Sequence, residues 1–288
     1  MMVTHGEPEL FTNSSKISLG WNDCVTRCLG DSMCMAAYQL SENVPSCQIF
    51  LVGQLETAKR ILSGTNFLGI KVFSQDANCP VDIISGSVSG YGVDNPTNIT
   101  YYQSYTVTYS DPLWTFSSSS KLYCSENFQL FARPNGPRCI QVIDSKTCLA
   151  QTSGVQQCSS LYSGLLSGPE TTAEYIYIFQ KALEIWTNRI TTHPIYAFWV
   201  DGARRCSTVS STCNGTNEFS FMDPTLSLVP QGYNWQVYQP GQDGACITLR
   251  VQPTVGGDGM DDCACNTVGN GNLCFRGYVC GVKPEPRS

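Results

Sequence analysis

Tyr196-Ala197-Phe198-Trp199-Val200-Asp201-Gly202, Cys246-Ile247-Thr248-Leu249 and Asp261-Asp262-Cys263-Ala264-Cys265, the last running on to Arg276-Gly277-Tyr278-Val279-Cys280-Gly281, decide the fold. Each is a short run of β-branched, aromatic or aliphatic residues tied to a cysteine or a turn, as short strands are. Together they predict a small disulfide-locked sheet that carries a polar loop. That loop, between Trp235 and Asp262, is where function is expected.

Working outward, the cysteines set the compartment. The 288 residues include 16 cysteines, an even count spread along the chain and mostly not in metal-type pairs, which points to disulfides in an oxidising, extracellular setting. Glycosylation sequons at Asn13, Asn98 and Asn214 agree, whereas Asn95 is followed by proline. A net charge of −6, with 17 Lys and Arg in no basic run, argues against nucleic acid or an anionic membrane as partner. No stretch approaches the ~20 apolar residues of a membrane span. The first residues lack the apolar core of a signal peptide, so the expectation is that this sequence omits one.

Residues 1–78 read as a first unit. The pattern predicts a helix from Trp21 to Leu29, capped by Ser18 and stopped at Gly30, with Cys24 and Cys28 on one side. Strands are expected at Met33 to Leu40, Cys47 to Val52 and Phe67 to Phe73. A helix stapled to a small sheet suits a domain too small to hold itself by burial alone. Trp21, Cys24, Cys28, Cys34, Tyr38, Cys47 and Phe50, with the strand from Phe67, resemble the PAN/apple family in its CW variant. The resemblance implies disulfides Cys24–Cys47 and Cys28–Cys34 and a first strand at Met1 to Gly6.

Residues 79–122, rich in Ser, Thr, Gly and Asn, read as a connector with some β structure, including a strand at Thr100 to Tyr109 and a partner at Leu113 to Phe116. Residues 123–284 read as an α+β domain. Phe128 to Phe131 and Cys139 to Ile143 predict a hairpin, and a helix is expected from Ser145 to Leu161. Thr171 and Glu174 have capping-box spacing before a second helix whose apolar face is Ile176, Phe179, Leu183 and Trp186.

The order of residues from Cys124 to Cys280 resembles a C-type lectin-like domain of the kind abundant in secreted nematode proteins. Phe131 to Gly136, Leu165 to Gly168, Phe198 to Gly202, Trp235, Gln239-Pro240, Asp261-Asp262 and Arg276 to Gly281 carry the resemblance. It implies disulfides Cys158–Cys280 and Cys246–Cys265, with Cys124–Cys139 closing the hairpin. Cys206 and Cys213 span a short loop and are expected to pair locally; Cys263 and Cys274 share a loop and could close it. Cys79 and Cys148 then remain, and their pairing is the expectation.

Catalytic readings find little support. The histidines, His5 and His193, lie far apart, and a nucleophile needs its base beside it. Cys263-Ala264-Cys265 lacks zinc spacing, and Gly256-Gly257-Asp258-Gly259 lacks the lysine of a phosphate loop. Calcium is the serious candidate, since it takes six to eight oxygens. The lectin resemblance implies a calcium ion bound to sugar hydroxyls through a Gln-Pro-Asp-type motif, a nearby acid and an Asn-Asp-type pair. Gln239, Asp243, Asp261 and Asp262 are the matching candidates. Gly241 departs from the motif, Gly244 stands in the acidic position before Cys246, and Met260 replaces the usual tryptophan. The expectation is a disulfide-rich two-domain extracellular recognition protein, not an enzyme: a PAN/apple-like α+β module followed by a C-type lectin-like fold. Its expected ligand is a glycan at an eroded calcium site, with calcium-independent binding of an extracellular protein as the alternative.

Overall fold

The computed structural model describes residues 1–40, 45–62, 64–72, 86–189, 193–206, 208, 210–253 and 257–287. The chain divides into two units, Met1–Tyr123 with the residues from Glu285, and Cys124–Pro284.

In the first unit the cysteine-bearing helix α1 (Trp21–Gly30) follows strands β1 (Met2–Phe11) and β2 (Ser15–Ile17). Strands β3 (Cys34–Gln39), β4 (Cys47–Leu51), β5 (Leu55–Arg60) and β6 (Phe67–Ile70) come next, tied by Cys24–Cys47 and Cys28–Cys34. Gly20, not Ser18, is the N-cap of α1; the Ser18 hydroxyl donates instead to the Pro45 carbonyl at 3.1 Å. Phe73, expected to end the last strand, lies outside the described residues.

The segment expected as a connector belongs to this unit. Strands β7 (Ser87–Val93), β8 (Tyr102–Ser110), β9 (Leu113–Ser118) and β10 (Leu122–Tyr123) extend the sheet, β9 pairing with β5 in the register Ala58↔Trp114. Tyr105, Val107, Trp114 and Phe116 share one core with Met35, Phe50 and Leu68. Burying these aromatics completes a core that residues 1–72 leave open, which is why a Ser/Thr-rich segment is structural. Gly6 is what permits it: a Cβ there would sit 2.9 Å from the Trp114 ring. β10 pairs with Glu285–Pro286, which returns the chain's end to the first unit.

In the second unit a hairpin of β11 (Gln129–Phe131) and β12 (Arg138–Asp144) precedes helix α2 (Gln151–Tyr162), strand β13 (Leu165–Leu166) and helix α3 (Thr172–Thr187). Then come β14 (Ile195–Arg204), β15 (Phe219–Ser220), β16 (Cys246–Val251), β17 (Gly259–Cys263) and β18 (Leu273–Val282). The sheet order is β11-β12-β18-β14-β16-β17, with β14 and β18 parallel. Phe198, Val200, Ile247, Leu249 and Val279 fill its centre against Ile178, Ala182 and Trp186 of α3.

Both helices differ from expectation. α2 starts six residues late because Lys146 turns the chain at φ 64° and the Leu149 amide bonds to the Phe275 carbonyl at 2.9 Å. The buried face of α3 is Glu174, Ile178, Ala182 and Trp186, while Ile176 is 49% exposed. Several of its successive residues are apolar, so periodicity leaves the rotation open; an ion pair to Arg133 draws Glu174 inward and sets it.

Disulfides Cys124–Cys139, Cys158–Cys280, Cys206–Cys213 and Cys246–Cys265 tie this unit. Two expected pairings are corrected by Cys148–Cys274. The Leu149–Phe275 backbone bond brings that pair together, so Cys148 does not join Cys79, and Cys263, which is buried, is a free thiol. Cys79 lies outside the described residues.

Candidate functional site

The loop from Phe221 to Ala245 joins β15 to β16, and a buried polar network anchors its near side. The Asp201 carboxylate, near the end of β14, accepts the amides of Met222 (2.8 Å) and Asp223 (2.7 Å). Asp223 pairs with Arg133 at 3.2 Å and with Arg138 at 3.0 Å, and accepts the Ser167 hydroxyl at 2.6 Å. Arg133 also donates to Glu174 (2.7 Å), Thr225 (2.8 Å) and the Gly168 carbonyl (2.7 Å). Glu170 accepts the Ser227 amide at 2.8 Å, and the Tyr233 hydroxyl donates to the Asp201 carbonyl at 2.7 Å. Burial pushes the Asp201 carboxyl up to about 6 and the Glu174 carboxyl upward, whereas Arg138, Arg133 and the Ser167 hydroxyl hold Asp223 below the usual carboxylate range against its burial. Sequence reading missed this network because its bonded partners lie up to 92 residues apart; only the Thr171–Glu174 spacing pointed to one of them.

The calcium candidates lie on the loop's far side. Asp261 and Asp262 are consecutive on β17, opposite Thr248 and Ile247, and both are 0% exposed. Strand alternation turns them to opposite faces. Asp262 accepts from Arg204 (2.6 Å), the Gly241 amide (2.5 Å) and the Gly244 amide (2.9 Å). Arg204 also pairs with Glu218. Asp261 faces Arg250 as an ion pair without an aligned hydrogen bond, and its burial, opposed by Arg250, leaves its carboxyl at about 6. Gln239 and Asp243 flank Gly241, and Gln239 Oε1 is buried without a hydrogen bond.

This donor set does not fit a calcium ion. Asp262 spends both oxygens on protein donors, and guanidinium groups stand against both carboxylates of the pair. The position expected to be acidic is closed, because a Cβ on Gly244 would overlap the Cys263 backbone. Among the described residues no group of three or more His, Cys, Asp or Glu is arranged to hold a metal.

Beside exposed polar residues such as Gln242 and Asp243, the loop presents large apolar side chains. Leu228, Val237 and Tyr238 are 86%, 79% and 95% exposed, and Met222 is exposed with them. Tyr238 sits at φ 68°, the left-handed region that costs a side chain energy. Trp235 is not among them: it packs on the core, stacks on Phe219 at 5.5 Å and donates to Thr216 at 3.1 Å. The sequon asparagines Asn13, Asn98 and Asn214 are all exposed.

Residues 1–72 match the family model of the PAN-like domain. Two solved structures of human lithostathine resemble the chain at 17% identity and a TM-score of 0.39, over 56% of this chain and 90% and 99% of theirs. No curated protein matches the chain.

Proposed function

We propose that this chain is an extracellular recognition protein that binds a protein partner through the loop from Phe221 to Ala245, without calcium and without catalysis. Solvent-exposed Leu228, Val237 and Tyr238, on a loop whose near side is anchored by buried ion pairs, carry this reading. An anchored loop loses little conformational freedom on binding, and exposed aromatic and aliphatic side chains are what protein interfaces bury at their centres. The arginine-neutralised carboxylates favour this over a calcium-bound sugar. Seven disulfides among the described residues, the PAN-like domain and the exposed sequons support an extracellular setting.

Binding of the labelled protein to cell surfaces, with and without EDTA, tests it. The part of the binding that resists enzymatic deglycosylation should persist in EDTA, disappear after surface proteolysis and be lost in Val237→Asp/Tyr238→Ala. Loss in EDTA overturns the calcium-free reading, and binding indifferent to the double substitution overturns the role of the loop.

A further inference from the structure

We propose a second binding site, for a neutral oligosaccharide, along the outer edge of β12 between the end of α2 and the flank of α3. Two cavities of about 390 and about 480 Å³ share Gln141 and Val142 as their floor. Phe128 walls the first and Tyr162 the second, and the two rings meet edge to face at 5.5 Å, which joins the cavities into one groove. The opposite wall is α3, through Tyr177, Lys181, Glu184 and Asn188.

The edge is open because β11 is short. It pairs with β12 only from Arg138 to Ile140. The Ser145 amide bonds to the Arg276 carbonyl across the β18 side, so alternation turns the Val142 amide and carbonyl away from β18, toward the groove. Among the described residues no hydrogen bond occupies the side-chain amides of Gln141 and Asn188. Both lysines along the groove are already engaged by carboxylates: Lys181 pairs with Glu184 at 2.9 Å, and Lys146 with Asp144 at 2.7 Å, a carboxylate that Arg276 also holds at 2.6 Å.

These features select the ligand. Aromatic rings beside neutral amides match a pyranose, whose C–H face stacks on a ring while its hydroxyls both donate and accept. Lysines already paired with carboxylates disfavour sialylated or sulfated chains. An added peptide strand is disfavoured too, because the edge ends at once: the Lys146 amide folds back onto the Asp144 carboxylate at 2.9 Å. Gln141 to Asp144 spans about 10 Å, enough for about two sugar rings.

Saturation-transfer NMR on the full chain, with chito-, cello-, malto- and mannotetraose as probes and sialylated and sulfated oligosaccharides as controls, tests the proposal. At least one neutral tetrasaccharide should bind, independently of EDTA and salt. Tyr162→Ala and Gln141→Ala should each weaken it by about tenfold, with unchanged circular dichroism. Tyr238→Ala should leave it intact, which separates this site from the loop. No binding by any neutral probe, preference for the charged controls, or binding indifferent to both substitutions overturns it.

Discussion

Arg133 and Glu174 meet at 2.7 Å with neither side chain open to water, one on the turn between β11 and β12, the other in the first turn of α3. Through Asp223 the same guanidinium reaches the loop that carries the exposed apolar residues. Hairpin, helix and loop therefore share one buried charge centre. Arg133→Met leaves Glu174 and Asp223 with less compensation and should cost about 3–5 kcal/mol, read from the guanidinium-chloride midpoint. A loss below about 1 kcal/mol would remove Arg133 from this role.

Asp201 should give the second unit a measurable pH dependence. Burial raises its carboxyl from 3.8 to about 6, so the folded chain holds this proton more tightly than the unfolded one. Its contribution to stability is complete below about pH 4 and is lost as pH rises through about 6. Asp223, held low by Arg138 and Arg133, acts in the opposite sense and loses its contribution as pH falls below 3.8. The stability of Asp201→Asn relative to wild type should rise between pH 4 and 6 in thermal melts at constant ionic strength. A flat difference contradicts the assignment.

Asp262 should behave as a structural carboxylate. Asp262→Ala strands Arg204 and the amides of Gly241 and Gly244, and should cost about 3 kcal/mol equally with calcium and with EDTA. The wild-type melting temperature should also ignore both. A calcium-dependent difference in either measurement restores the metal site.

The disulfide correction is chemically testable. Non-reducing peptide mapping should recover Cys148 joined to Cys274, and removing both should cost about 2–5 kcal/mol. Burial pushes the Cys263 thiol up to about 12, so iodoacetamide should label it only after denaturation. Native labelling of Cys263, or a Cys263–Cys274 peptide, refutes this.

Tyr238 combines 95% exposure with a left-handed backbone. Tyr238→Gly should therefore stabilise the second unit by about 1 kcal/mol while abolishing loop-mediated binding. Tyr238→Ala should abolish binding with stability changed by less than about 0.5 kcal/mol. Binding retained in both separates the strain from function.

Legibility followed distance along the chain. The Thr171 cap of α3, whose hydroxyl accepts the Glu174 amide at 3.3 Å, lies three residues from its partner, and spacing reveals such contacts. The face of α3 was not legible, since a helix with apolar residues on several sides has no preferred rotation until Arg133 is placed. Gly244 could be read as a missing acid; that no acid would fit there needed the Cys263 backbone.

By itself the sequence determined the cysteine-rich class and the α+β order of elements, because these follow from residue type and local period. The long loop, expected between Trp235 and Asp262, runs instead from Phe221 to Ala245, since β16 and β17 take up much of the expected span from Cys246 onward. Tertiary structure alone decided that Tyr105 and Trp114 close the first core and that Cys148 joins Cys274. It also decided that Asp261 and Asp262 face arginines and that the edge of β12 stays open. Strand register and side-chain neutralisation join residues tens of positions apart, and they are set only when the whole unit packs.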